Sequence, residues 1–203
     1  ERNFIIEINK SFAYKNTICI ASSHPGEEIL ILDAFKLALQ ENSNLKMIIV
    51  PRHPKRMQEI INLIKEYDFK YSVRSKNEFP SINDQIYLAD TIGELPLWYS
   101  SCSTTFVAGS LLPIGGHTPF EPAFYSSTII HGRHFSNFHD IYTQLDNNHG
   151  AIKVIDPLQI SNAWEKLRNK EFRKKTLSNA HKILFAGSQK EDLIATILRK
   201  FEA

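Results

Sequence analysis

Cysteine is scarce: Cys19 and Cys102 are the only two in 203 residues. That excludes a disulfide-scaffolded domain, and their apolar surroundings make them small buried side chains suited to a reducing compartment. No apolar run reaches the roughly 20 residues of a membrane-spanning helix. The longest, Ile29 to Leu39, is broken by Asp33 and Lys36. Glycine and proline number 8 and 9, too few for collagen or a low-complexity chain. No initiator methionine or signal-peptide pattern stands at Glu1-Arg2-Asn3, so the chain reads as a piece of a longer protein. The phosphate-loop pattern GxxxxGK(S/T) is missing, and no GxGxxG follows the first strand, which disfavours an NAD site of the usual kind. Neither HExxH, CxxC nor a Ser/His/Asp elbow is present.

What is present is ordinary in amount and uneven in placement. Hydrophobic residues make up 42% and the formal net charge is +2. Residues 1–152 carry 13 basic and 16 acidic side chains, and residues 153–203 carry 11 and 6. A basic tail of this kind suits solvated helix faces, or a surface turned to an anionic membrane or nucleic acid.

Strand-like and helix-like segments alternate. Thr17 to Ala21, Leu45 to Val50, Phe69 to Val73, Gln85 to Leu88, Thr104 to Val107, Thr128 to Ile130 and Ala151 to Ile155 read as strands. Glu27 to Glu41, Pro54 to Tyr67, Glu94 to Ser100, Pro119 to Tyr125 and Asn137 to Leu145 read as helices. In the second helix Met57, Ile60, Ile61 and Ile64 form an apolar stripe. Trp98, Tyr99 and Trp164 read as core. Short connections between such elements require parallel strands and right-handed crossovers. The expected fold is α/β: a Rossmann-like, doubly wound parallel sheet over 17–156. Residues 1–16 are expected to be a linker, and 157–203 C-terminal helices, the last with an apolar stripe of Ile194, Ile197, Leu198 and Phe201 within 193–201.

Ligands of such sheets sit at the carboxyl ends of the strands. Four loops fall there. Ser22 to Glu28 holds Ser, Gly and an acidic first helical turn, enough for helix capping alone. Pro51-Arg52-His53-Pro54 places an arginine to grip a phosphate or carboxylate, or to make a surface salt bridge. Asp90 to Leu95 brings Ile92, Gly93 and Glu94 to a helix entrance, where backbone N–H groups hold anions or base edges. Gly109 to Pro122 contains Ser110, Gly115, Gly116, His117, Thr118, Pro119, Phe120 and Glu121. Gly115-Gly116 permits close backbone approach, Thr118 caps a helix that has Pro119 first, and Glu121 suits ribose hydroxyls. Together the loops describe a pocket for a nucleotide with few phosphates. His131, His134 and His139 lack zinc-site spacing, so no metal is expected. His117 and His134 read as hydrogen-bonding groups.

The loops in order are Ala21-Ser22-Ser23-His24-Pro25-Gly26-Glu27-Glu28, Val50-Pro51-Arg52-His53-Pro54, Asp90-Thr91-Ile92-Gly93-Glu94-Leu95, Gly109-Ser110-Leu111 with Gly115 to Pro122, and His134-Phe135-Ser136-Asn137-Phe138. Over about residues 17–155 this series resembles the bacterial 3-deoxy-D-manno-octulosonic acid (Kdo) transferases of lipopolysaccharide synthesis. Thr118 stands where that family has Asn, Ser23 where it has Thr, and Arg133 where Pro is common.

The resemblance implies the C-terminal, donor-binding half of an inverting GT-B glycosyltransferase that moves Kdo from CMP-Kdo to lipid IVA. It places Pro51, Arg52, Ile92, Gly93, Glu94, Ser110, Gly116, His117, Thr118, Pro119, Phe120, Glu121 and Asn137 at the donor. No catalytic residue is assigned, because the family's base is a glutamate of an N-terminal domain that also carries the membrane anchor. No cofactor is implied beyond the donor itself. The whole enzyme is expected at the cytoplasmic side of the inner membrane, touching an anionic lipid surface and no nucleic acid. Two alternatives stay open: a nucleotide-sugar epimerase of GT-B architecture, and a non-catalytic nucleotide-binding module.

Overall fold

A computed structural model of the chain describes residues 2–186. Seven strands, β1 (Thr17–Ser23), β2 (Lys46–Pro51), β3 (Tyr71–Val73), β4 (Ile86–Leu88), β5 (Thr104–Val107), β6 (Thr128–His131) and β7 (Ala151–Lys153), form one sheet. Its order is β3-β4-β2-β1-β5-β6-β7, and every pairing is parallel. The strands are continuous apolar runs because helices cover both faces.

Alternation along each strand divides the core. Ile18, Ile20, Met47, Ile49 and Phe106 point to one face, against α2 (Glu27–Glu41), α3 (Met57–Glu66) and α7 (Pro157–Arg168). Cys19, Ala21, Ile48 and Val50 point to the other, against α1 (Arg2–Ser11) and α4 (Leu95–Ser100). Further along that second face, Val107 and Ile129 meet α5 (Phe120–Phe124), α6 (His139–Asn147) and α8 (Lys170–Leu184). Both cysteines are buried and free, and Trp98, Tyr99 and Trp164 lie in the core. Local signals set the later helix starts. Asp156 accepts the Gln159 N–H at 2.8 Å with Pro157 at the first position, and Asn169 accepts that of Phe172 at 2.9 Å.

The stretch expected to be a linker is largely a helix. Phe4, Ile8 and Phe12 lie four residues apart on one face, and Ile8 and Phe12 are fully buried in the core under Trp98 and Tyr87. The apolar stripe expected on 193–201 lies outside the described residues.

At the start of α2, Glu28 is buried and receives both terminal nitrogens of Arg56, at 2.7 and 3.1 Å. Arg56 also binds Glu59. Removing one partner of a buried pair strands a charge, which costs about 3–5 kcal/mol. Arg56→Ala is therefore expected to lower the unfolding free energy by about that amount in urea titrations. A loss under about 1 kcal/mol, the scale of a surface pair, contradicts the burial of Glu28.

Candidate functional site

The chain leaves β1 for β2, β4 and β3 on one side, then returns to β5 and continues to β7 on the other. The crevice between the ends of β1 and β5 is the topological switch point, where such sheets bind ligands. β1 ends in a bulge between Ala21 and Ser23, with Ser22 at φ 61°. Residues in sparsely populated backbone regions cluster at functional sites.

Across this crevice lies the Glu27 carboxylate, fully buried at the first turn of α2. One oxygen accepts the N–H groups of Gly109 (2.8 Å) and His24 (3.1 Å), the other those of Ser110 (3.0 Å) and Leu111 (2.9 Å). Four donors compensate a charge that burial would otherwise make prohibitive. Gly26 before it sits at φ 89°. What read as a helix-capping turn is thus an internal anion that ties the loop after β5 to the loop after β1.

The rest of the glycine-rich loop is fastened from behind. Ser110 donates its hydroxyl to the Val107 carbonyl at 2.6 Å and accepts the Gly132 N–H at 2.8 Å. A Cβ on Gly132 would lie 2.1 Å from the Ser110 carbonyl oxygen. Asn137 donates its N–H to the Gly115 carbonyl (2.9 Å) and its side chain to that of Gly116 (3.3 Å). Ser110 and Asn137 therefore brace the loop.

His117 leaves this loop toward His24. Their Nε2 atoms are 2.9 Å apart, and the rings lie end to end, 14° from parallel, with centroids separated by 5.2 Å. Tyr142 donates its hydroxyl to the His117 carbonyl at 2.9 Å. Burial, with His24 and Arg52 nearby, pushes the His117 pKa down to about 4. Burial also lowers that of His24, Glu27 and Glu28 acting against it and His53 and Arg52 with it.

Arg52 follows β2, its N–H bound to the Ser23 carbonyl at 3.0 Å. Its side chain is exposed and makes no hydrogen bond or ion pair among the described residues, so the salt-bridge reading finds no partner there. Pro51 beside it is buried. In the next loop Gly93 sits at φ 85° and Ile92 is 86% exposed. The Glu94 carboxylate is held by Arg74 at 2.8 and 3.0 Å and by the Thr91 hydroxyl. That leaves the main chain of this turn and the Ile92 side chain to meet a ligand.

α5 begins at Phe120, one residue later than the sequence suggests, and Pro119 occupies the capping position. Thr118 receives the Phe120 N–H at 3.4 Å, a long contact, because Pro119 already has helical dihedrals and draws the turn past the Thr hydroxyl. Glu121 and Phe120 are exposed, and the Glu121 carboxylate carries no hydrogen bond or ion pair among the described residues. α8 pins this turn: a His181 ring nitrogen lies 2.7 Å from the Ala123 carbonyl, and Phe185 packs on Phe120 and Phe124.

The histidines of the β6–α6 region do not converge. His131 is buried between the Gly132 carbonyl (2.7 Å) and Asp146 (2.9 Å), His134 receives Arg133 at 3.1 Å, and His139 faces Asp140. Among the described residues no group of three or more His, Cys, Asp or Glu could hold a metal ion.

No family model matches the chain. The crystal structure of the C-terminal CMP-Kdo binding domain of WaaA from Acinetobacter baumannii superposes with a TM-score of 0.82 at 30% identity, over 91% of this chain and 100% of that one. The chain belongs to the Kdo transferase family. A 3-deoxy-D-manno-octulosonic acid transferase of Haemophilus influenzae is 37% identical over 161 residues, 79% of this chain and 38% of that protein. One from Rickettsia bellii is 29% identical over 200 residues, 97% of this chain and 48% of that protein. The chain thus spans less than half the length of these relatives. The C-terminal domain of LpcC from Francisella tularensis, 14% identical with a TM-score of 0.61, shares the fold, the C-terminal domain of GT-B glycosyltransferases.

Two outcomes follow from the site's electrostatics. Glu27→Gln puts an amide NH2 among main-chain donors and should cost about 3 kcal/mol, as buried unmatched donors do. An unchanged denaturation midpoint would show that the loop does not depend on the carboxylate. His117 stays neutral in the folded chain down to about pH 4, whereas the unfolded imidazole protonates near 6.5. The unfolded state therefore binds more protons in that window, and stability falls as pH falls. The stability difference between native protein and His117→Gln should decline from pH 6.5 to 4 in parallel thermal melts; a flat difference contradicts a neutral, half-buried His117.

Proposed function

We propose that this chain is the donor-binding half of an inverting glycosyltransferase that transfers Kdo from CMP-Kdo to lipid IVA in lipopolysaccharide synthesis. One observation carries the reading. The loops around the switch point leave the Arg52 side chain, the N–H groups of Ile92, Gly93 and Glu94 and the Glu121 carboxylate uncommitted among the described residues, in a chain similar along its length to a CMP-Kdo binding domain. Arg52 offers its guanidinium to the phosphate, and the Thr118 N–H at the entrance to α5 adds a donor. The Ile92–Glu94 turn meets the cytosine edge through its main chain, and Glu121 accepts from ribose hydroxyls.

These contacts suit the chemistry. Displacement at the anomeric carbon expels CMP, and charge builds on its phosphate as the bond breaks. A positioned guanidinium and N–H donors stabilise that charge more in the transition state than in the bound donor. The acceptor hydroxyl loses its proton to a base that we place outside this chain, in the additional length its relatives possess. The basic excess of residues 153–203, 11 basic against 6 acidic side chains, suits a whole enzyme that works on an anionic lipid at the cytoplasmic side of the inner membrane.

Calorimetric titration of the chain with CMP, UMP and NAD tests this reading. CMP should bind best, and Arg52→Ala should weaken it by about 1.5–3 kcal/mol, the scale of a charged hydrogen bond. UMP binding as tightly as CMP, or no effect of Arg52→Ala, would contradict it. The chain alone should bind CMP without transferring Kdo; turnover with CMP-Kdo and lipid acceptor would place the base within it.

A further inference from the structure

We propose that the His24–His117 pair takes up one proton when an anionic nucleotide occupies the carboxyl edge of the sheet, coupling affinity there to pH. The inference rests on the donor-site reading above and adds a proton to it.

The geometry sets the stoichiometry. Two Nε2 atoms 2.9 Å apart are hydrogen-bonded, so one carries a proton and the other offers its lone pair. With both rings neutral, one ring therefore holds its proton on Nε2 and the other on Nδ1. A single added proton goes to the remaining bare Nδ1 and leaves the Nε2–H···Nε2 bond intact. A second would set two N–H groups against each other. The pair thus titrates as a unit between neutral and +1.

The surroundings hold it neutral without ligand. Glu27 and Glu28 of α2 favour protonation, but the first is spread over four N–H groups and the second is paired with Arg56. Burial, Arg52 and His53 oppose it, and the groups from α6 and the loop that meet His117, Tyr142 and Gly109, bring no charge. His24 closes β1, Arg52 closes β2 and His117 adjoins Thr118, so an anion between Arg52 and the α5 turn acts on both rings. It offsets Arg52 and adds negative potential, which favours the imidazolium pair. Proton uptake then strengthens binding by up to about tenfold per pH unit as pH falls.

The test is calorimetry with CMP in non-phosphate buffers of differing ionisation enthalpy, across about pH 4.5 to 7.5. The observed heat should vary with the buffer and report uptake approaching about one proton, with His24→Gln and His117→Gln losing most of it. CMP has its own titrating phosphate, and the variants measure that part separately. Since a variant could bind poorly, histidine NMR on the native chain gives a second readout: CMP should move the pair's titration up by at least about two pH units. Buffer-independent heat, equal uptake in the variants, or an unmoved histidine titration would overturn the inference while CMP binding stands. No CMP binding at all would overturn the donor-site reading and this inference with it.

Discussion

The buried Glu27 carboxylate is the interaction on which the site depends. A carboxylate with no solvent contact is tolerable because four main-chain donors surround it. Those donors belong to two loops that the sheet topology would otherwise leave independent. Fixing Gly109–Leu111 against the first turn of α2 sets the path of the chain through Gly116 and His117 to the α5 turn. It also places His117 against His24. Ser22 at the bulge is a local strain beside this carboxylate, while Gly26 and Gly109 take left-handed dihedrals that a glycine adopts freely.

Side chains around the crevice divide into two kinds. Glu27, Ser110, Asn137 and the carboxylate of Glu94 are spent inside the protein, on N–H groups, carbonyls and Arg74. Arg52, Ile92, Phe120 and Glu121 are exposed, and Arg52 and Glu121 keep their charged ends free of ion pairs among the described residues. This division gives a rigid frame with a few uncommitted groups, as preorganised binding requires. α8 extends the frame, since His181 binds the Ala123 carbonyl and Phe185 beyond it packs on Phe120.

The order and type of the elements within 17–184 were legible because strands buried on both faces and striped helices leave strong patterns. Boundaries moved by a residue or two, as at α5, where Pro119 proved to be the cap. The helix α1 was also legible in the spacing of Phe4, Ile8 and Phe12, but a linker reading passed over it. Other features left no local trace. Glu27 finds its partners 82, 83 and 84 residues away, and they are main-chain groups that any residue carries. His24 and His117 are 93 residues apart, and Arg56 meets the buried Glu28 across 28 residues. The loops that carry the site were found from topology and motif, while the distinction between braces and free groups needed side-chain geometry.

A crystal structure of the chain with CMP measures the central claim most directly. The nucleotide should lie over the ends of β1, β2 and β5. Its phosphate should fall between Arg52 and the Thr118–Phe120 turn, its base against the Ile92–Glu94 main chain, and its ribose hydroxyls on Glu121. A phosphate bound away from Arg52, for instance in the cleft between Pro113, Arg133 and His139 behind the glycine-rich loop, would contradict the account.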